Sequence, residues 1–522
     1  MSTVVAERTL IQGALVITMD ESTGADPVAR DVLIEGDRVA AVEPHLEPGA
    51  GDTVIDGRSR LVMPGLVNAH VHSWEALFKG RYDNLPLELW MLFSYPILGL
   101  TPLSRRLVYL RTLLVAMESL KNGVTCLLDD VIEMPGQSMD ALEAVFDAYE
   151  LAGIRANCSG NVMDRAFTDT LPFTDELLPQ ELVRAARAER RTSISEYLAF
   201  SEEALDRFHG RAGRLRYVVA PSGPQRCSDE LLIAAAELSE RHATAYHIHV
   251  LETKVQAVTG QEMYGRSMVR HLDELGVLNE RATLAHVIWV DDEDIARLAR
   301  ARASVAHNAI SNQKLGAGIA PFRKLLDAGV NVALGSDGIS SNDTPRMFDV
   351  MKAAALLHKV TSPDYTTWPS APEILAAATI AGARSAAIGD EVGSLESGKR
   401  ADLLILDLRS LNFTPLNDIR NHLVYCEDGS SIEKVMVGGE VVVEKGALTR
   451  LDEEAVLEEL RTELPAVLNS HSKVEELNRV FEPYFAEIHR RCCARPIGTD
   501  RHSGDERARL EAQTPRSAGS RP

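Results

Sequence analysis

From about residue 61 the chain repeats one pattern, in which short apolar, β-branched runs alternate with longer stretches of helical periodicity. Parallel strands cannot be joined by tight turns and need a crossover between them, so this alternation predicts parallel βα units. Eight strand candidates can be counted: LVMPGLVNAH, VTCLLDD, IRANCSG, LRYVVAP, TAYHIHV, ATLAHVI, ASVAH and VNVALGSD. Amphipathic stretches such as SRRLVYLRTLLVAMESLKNG and DEDIARLARAR separate them. The expected fold class is α/β, a (β/α)8 TIM-type barrel with insertions over residues 63–390.

The flanks read differently. The first 60 residues alternate apolar runs with turn signals, and β character returns in ADLLILDL and EKVMVGGEVVVEKG. Residues 1–62 and 391–450 are therefore expected to build one small β-sandwich from both ends. A helical extension is expected over 451–495. The polar, aperiodic stretch from 496 to 522 is expected to be a disordered tail.

Charge and cysteine usage narrow the chemistry. A net charge of −21 at pH 7 argues against a nucleic-acid partner, whose phosphates select basic surfaces. No run of 18 apolar residues predicts a membrane span, and the N-terminal stretch lacks a basic segment followed by an apolar one. A cytoplasmic location is expected. The six cysteines include no CxxC pair, so any metal would be held by histidine and carboxylate.

The stretch PGLVNAHVH places His70 and His72 at i and i+2. On a strand such residues share a face, about 7 Å apart, a span one metal ion can bridge. An HxH pair alone reads more readily as two hydrogen-bonded core histidines, because a zinc site needs more ligands. The other strand ends bear on the choice. His249 closes strand candidate five, His286 closes six and Asp337 closes eight. Catalytic groups of such barrels sit at these C-terminal ends. Four strand ends that each offer a nitrogen or oxygen ligand fit core packing poorly, since buried polar groups without partners are costly.

Taken together and in order, PGLVNAHVH, HIHVLET, LAHVIW, HNAISNQKLGAGIAPFRKLLDAGVNVALGSDGISSND and GSLESGKRADLLILDL resemble the amidohydrolase superfamily. More narrowly they are similar to its branch of heterocycle deaminases and chlorohydrolases, which includes S-adenosylhomocysteine and methylthioadenosine deaminases and the triazine hydrolases. The resemblance spans about residues 8 to 450. It implies one divalent ion, zinc or iron, held by His70, His72, His249 and Asp337. Such an ion lowers the pKa of water toward roughly 7 and yields hydroxide at neutral pH. The resemblance further implies that Asp337 takes the water's proton, that His286 stabilises the developing oxyanion, and that Glu252 protonates the ring nitrogen beside the attacked carbon. No lysine closes strand candidate four, which favours one ion over two.

The implied activity is a metal-dependent aminohydrolase that releases ammonia from a small nitrogen heterocycle. The alternative is expulsion of halide or alkylamine, or cleavage of an amide or urea-like C–N bond; a non-catalytic barrel is the remaining reading. Nucleoside-deaminating relatives usually carry a histidine in a segment like APHxP, where this chain has APSGPQRC. Ser222 takes that place, which points away from a purine nucleoside. Six aromatics between Trp74 and Tyr95 suggest an apolar wall, unless they only pack a long insertion. The expected substrate-binding residues are Trp74, Glu75, Trp90 and Ser222. The arginine-rich insertion of about 165–214 is expected to form one or two helices with a solvated face. His247 and His307 are expected to be structural, and relatives of this kind suggest a homo-oligomer.

Overall fold

The N-terminal flank forms five strands, β1 (Arg8–Val16), β2 (Val28–Glu35), β3 (Arg38–Glu43), β4 (Thr53–Asp56) and β5 (Arg60–Pro64). In this computed structural model, residues 8–101, 103–134 and 136–502 are described. The first strand candidate divides at Gly65. Arg60–Pro64 pairs in the outer sheet, and the barrel opens with β6 (Leu66–Val71). A Cβ on Gly65 would lie 2.0 Å from Thr125, so only glycine lets the chain pass between the two layers here.

The barrel continues with β7 (Val124–Asp129), β8 (Arg155–Ser159), β9 (Leu215–Val218), β10 (Tyr246–Val250), β11 (Ala282–His286), β12 (Ser304–His307) and β13 (Asn331–Leu334). Pairing is parallel throughout, in two four-stranded sheets, β6-β7-β8-β9 and β10-β11-β12-β13. Hydrogen bonds cross both seams. His247 N donates to Val219 O at 2.8 Å, and Asp337 N donates to His70 O at 2.8 Å. Every residue of β6, β7, β8, β10, β11 and β12 is buried, which explains why these runs are apolar without alternation.

After the barrel the chain rejoins the outer layer through β14 (Leu403–Asp407), β15 (Ile432–Val437), β16 (Glu440–Glu444) and β17 (Ala447–Leu448). The two flanks form one continuous sheet, ordered β17-β16-β15-β14-β5-β1-β2-β3, with β4 on β1. A bridge between Arg38 and Arg400 brings its far end back, so Ile11, Val32 and Ile34 of one flank pack with Leu403, Ile405 and Met436 of the other. A buried ion pair ties this layer to the barrel: Arg155, the first residue of β8, donates through Nε and Nη2 to Asp402 at 2.8 and 3.0 Å.

The helices Glu453–Asn478 and Glu482–Ala494 do not project as an appendage. They pack on the aromatic loop between β6 and β7, with Phe481, Phe485 and Ile488 in one apolar cluster with Trp74, Phe78 and Trp90. Polar contacts secure the arrangement. His471 Nε2 meets Phe93 O at 2.9 Å and Tyr82 Oη at 3.1 Å, and Asn478 Oδ1 accepts from the N–H groups of Ile97 and Leu98 at 2.9 Å.

The insertion contains helices Gln180–Ala188 and Ile194–Phe208, whose arginines pair at the surface, as in Arg187–Asp169 and Arg190–Glu196. Of the tail expected to be disordered, the described part, 496–502, packs on the barrel. Ile319 N donates to Arg501 O at 2.7 Å, and His502 lies edge-on to Trp289. Residues 503–522 lie outside the described residues. Among the described residues, no helix is long and apolar enough to cross a membrane.

Candidate active site

At the C-terminal ends of the barrel strands, six buried titratable side chains converge: His70 and His72 of β6, His249 of β10, Glu252 beyond it, His286 of β11 and Asp337 beyond β13. Hydrogen bonds settle which atom each ring presents. His72 Nδ1 donates to Asp130 O at 2.8 Å, and His249 Nδ1 donates to Ser222 O at 2.9 Å. A carbonyl only accepts, so in the neutral rings both protons sit on Nδ1 and both Nε2 atoms carry lone pairs. Those two Nε2 atoms lie 3.2 Å apart. His70 Nδ1 is held 2.8 Å from His247 Nε2, and His70 Nε2 is buried without a hydrogen-bond partner. Asp337 Oδ1 lies 3.4 Å from His70 Nε2 and 3.5 Å from His72 Nε2.

Facing acceptors at these distances repel one another, and a cation between them removes the repulsion. Three imidazole nitrogens and one carboxylate oxygen are the donor set that zinc or a similar divalent ion takes. The partners behind the rings fix their orientation. The structure thus brings together the four residues expected as ligands. It also gives His247, expected to be a packed structural histidine, a definite place behind His70.

The two acids beside this cluster have opposite tendencies. Burial pushes the Glu252 carboxyl well above its usual range, and the nearby Asp337 charge adds to the shift. Burial would raise Asp337 as well, but the adjacent His70, with His286 and His72 around it, holds it well below the usual carboxylate range. Two carboxyls whose oxygens lie within 4.8 Å of each other are thus driven in opposite directions. His286 Nε2 stands 3.7 Å from Glu252 Oε2 and 3.8 Å from Asp337 Oδ2. Asn312 and Asn308 approach its Nδ1 at 3.0 and 3.4 Å. The nearer contact is the amide oxygen of Asn312, which only accepts, so in the neutral ring Nδ1 carries the proton and Nε2 presents its lone pair to the pocket. His286 and Asp337 both have left-handed backbone, at φ 76° and 66°, a strain commonly held at functional positions.

The cavity over these groups is small, about 30 Å³, the room of one water. Glu75 and Trp90 line it, as expected, together with Leu87, Met91, Tyr95 and Arg226. Glu75 is fully buried, accepting from Tyr95 Oη at 2.7 Å and from Ser340 N and Oγ at 3.1 and 2.9 Å. Its carboxylate lies so close to Gly338 that a Cβ there would come within 1.8 Å of Oε2.

Two expected substrate contacts are not in the lining. Trp74 lies behind the wall, with Nε1 donating to Ser94 O at 3.3 Å and the Arg111 guanidinium over its ring. Ser222 serves through its carbonyl, which orients His249, and its hydroxyl, which accepts from Arg226 Nη1 at 3.3 Å. Both corrections have one cause: side chains alternate or turn within a loop, and only packing decides which of them faces the cavity. Glu88 is buried, accepting from Thr253 Oγ1 at 2.6 Å. His307 meets His358, Nε2 to Nε2 at 3.1 Å, away from the cluster. Sequence reasoning missed Arg226; the signal was its place in the loop after strand candidate four.

Comparison with known proteins agrees with this geometry. The family model described as "Amidohydrolase family" matches residues 61–442. The chain is 35% identical over 454 residues to a 5'-deoxyadenosine deaminase of Methanosarcina acetivorans, covering 87% of this chain and 96% of that one. It is 33% identical to a 5-methylthioadenosine/S-adenosylhomocysteine deaminase of Caldanaerobacter subterraneus subsp. tengcongensis, covering 86% of this chain and 96% of that one. Among solved structures, it is similar to a zinc-bound adenosine deaminase from Xanthomonas campestris, with a TM-score of 0.78, 26% identity, and coverage of 88% and 98%. It is likewise similar to the zinc complex of atrazine chlorohydrolase from Arthrobacter aurescens TC1, with a TM-score of 0.77, 25% identity, and coverage of 88% and 100%. With nearly three quarters of its length matched and its buried histidines and aspartate converging at the barrel mouth, the chain belongs to the amidohydrolase family.

Proposed function

We propose that the protein is a metal-dependent deaminase that hydrolyses an exocyclic C–N bond of a small nitrogen heterocycle and releases ammonia. The observation that carries this reading is the convergence of His70, His72, His249 and Asp337 at the barrel mouth with Glu252 and His286 beside them, all buried. Curated relatives named as deaminases support it. His70, His72, His249 and Asp337 would hold the ion, zinc or iron, which when bound supplies a Lewis acid that acidifies water at neutral pH.

The chain's own groups then divide the proton work. Asp337 Oδ2 accepts the proton of the attacking water; Ser311 Oγ, donating at 2.5 Å, steadies that oxygen. Glu252 gives its proton to the ring nitrogen next to the attacked carbon, so the ring can accept electrons from the C–O bond that forms. His286 hydrogen-bonds the attacking oxygen through Nε2 and so orients it for the C–O bond that forms. Asp337 passes its proton to the exocyclic nitrogen, the C–N bond breaks with its electron pair leaving on ammonia, and the remaining hydroxyl proton returns to Glu252 as the carbonyl forms. Leu87, Trp90 and Met91 exclude bulk water from these exchanges.

The test is ammonia release by zinc-loaded protein across aminated pyrimidines, pterins, purines and triazines, paired with Glu252→Gln. The variant is expected to keep its zinc and to lose kcat by about 10²- to 10⁴-fold. Full turnover in Glu252→Gln removes the proton donor from the mechanism. Release of halide or alkylamine from triazines, without ammonia from any amine, would replace the deaminase reading with that of a chlorohydrolase-like hydrolase.

A further inference from the structure

Three arginines are buried among the described residues, and they differ in one respect. Arg111 pairs with Glu133, and Arg155 pairs with Asp402. Arg226, 6% exposed, has no carboxylate within ion-pairing distance among the described residues. Its contacts are weak: Nη1 donates to Ser222 Oγ at 3.3 Å and Nη2 to the thioether sulfur of Met91 at 3.2 Å. Nε is buried with no partner. The short helical turn Pro224–Arg226 sets the side chain into the wall of the cavity, on the same lining as Glu252 and His286.

A guanidinium stays protonated under all ordinary conditions, carries five donors in a fixed fork, and is costly to bury uncompensated. Burial indeed presses Arg226 below its ordinary pKa, despite the charges of Glu252 and Glu88. Glu252 and Glu88 lie near but make no ion pair with it, and the hydroxyl and thioether in contact with the guanidinium supply no counter-charge. The missing counter-charge is therefore brought by what enters the cavity. Planar, bidentate recognition by arginine selects a carboxylate, and the surrounding Leu87, Trp90, Met91 and Leu315 suit the face of a ring.

We infer that Arg226 is a specificity-determining residue and that the substrate is an amino-heterocycle bearing a carboxylate, which Arg226 binds while the amine-bearing carbon faces Asp337 and Glu252. This deepens, and rests on, the deaminase reading. The absence of a histidine at Ser222 agrees with a heterocycle other than a purine nucleoside.

The test is calorimetric binding to the zinc-loaded protein of two acid–amide pairs: 4-aminopyrimidine-5-carboxylate with its 5-carboxamide, and 6-aminonicotinate with 6-aminonicotinamide. At least one acid is expected to bind about tenfold or more tighter than its amide, and Arg226→Met is expected to bring that ratio close to one. Arg226→Lys, which keeps the charge and loses the fork, is expected to fall between, and it decides the matter if Arg226→Met does not fold. Melting of Arg226→Met should occur no lower than in the wild type, because an uncompensated charge has been removed. Failure of both acids to bind, amides that bind as tightly, or a preference that survives in both variants, as when the carboxylate sits on the zinc alone, overturns the inference. Ammonia release from the neutral amides with no acid preference would sink this inference and leave the deaminase reading standing; acid-selective binding without ammonia release would do the reverse.

Discussion

Two buried polar clusters occupy opposite ends of the barrel strands, and they are finished differently. At the N-terminal end of β8, Arg155 and Asp402 meet through two hydrogen bonds, and Asp402 Oδ1 also accepts from Gly438 N at 2.8 Å. Donors and acceptors there match within the chain. At the C-terminal ends, the Nε2 atoms of His72 and His249 face each other at 3.2 Å, His70 Nε2 has no partner, and Arg226 has no acid. A satisfied cluster stabilises the fold; an unsatisfied one is completed by something the chain does not contain. In a barrel of this type the first belongs at the bottom face and the second at the top, where the βα loops begin.

Three experiments sharpen or break that contrast. The largest effect is expected from His249→Ala, which removes one of the facing lone pairs. Metal content, measured by mass spectrometry after dialysis, is expected to fall below stoichiometry, and ammonia release to drop by about a thousandfold or more. Full zinc occupancy in that variant would mean that the cluster is not a ligand set. Asp402→Ala is expected to act on the other end alone. It leaves a buried arginine unpaired and should cost about 3–5 kcal/mol in urea unfolding, with zinc content unchanged. A loss of zinc in parallel would show that the two ends are not independent.

The smallest effect concerns a third buried group. His358 is held down to about 4 by burial, with the Arg323 charge adding to it, against an ordinary value of 6.5. The unfolded chain takes up this proton first, so the contribution is full above pH 6.5 and is lost as pH falls toward 4. The loss amounts to about 3 kcal/mol or less. His358→Gln should flatten that part of the acid limb in stability-versus-pH curves; an unchanged acid limb would show that His358 titrates alike in both states.

Much of this was open to reading in the chain itself. The eight parallel strands are all present, because full burial on both faces forces the apolar runs that mark them. The residues proposed as ligands stood out because several histidines and an aspartate at strand ends have few structural uses. Other features were hidden for physical reasons. The division of the first strand candidate at Gly65 depends on how closely Thr125 approaches, and no residue type announces that distance. Trp74 and Trp90 belong to the same aromatic stretch, yet one supports the wall and the other forms it. The helices Glu453–Asn478 and Glu482–Ala494 carry ordinary amphipathic patterns, which state that a face is buried but not against what.

By itself, the sequence determined the barrel, the shared outer sheet, and the identity of the residues that converge at the mouth. Those properties follow from periodicity and from side-chain chemistry, which are local. Only the tertiary structure decided that Arg226 turns inward without an ion-pair partner, that burial and neighbouring charge push Glu252 and Asp337 in opposite directions, and that the C-terminal helices close over the aromatic loop. Each of these depends on what is absent from, or crowded around, a group in three dimensions, and neither quantity is written in the order of residues along the chain.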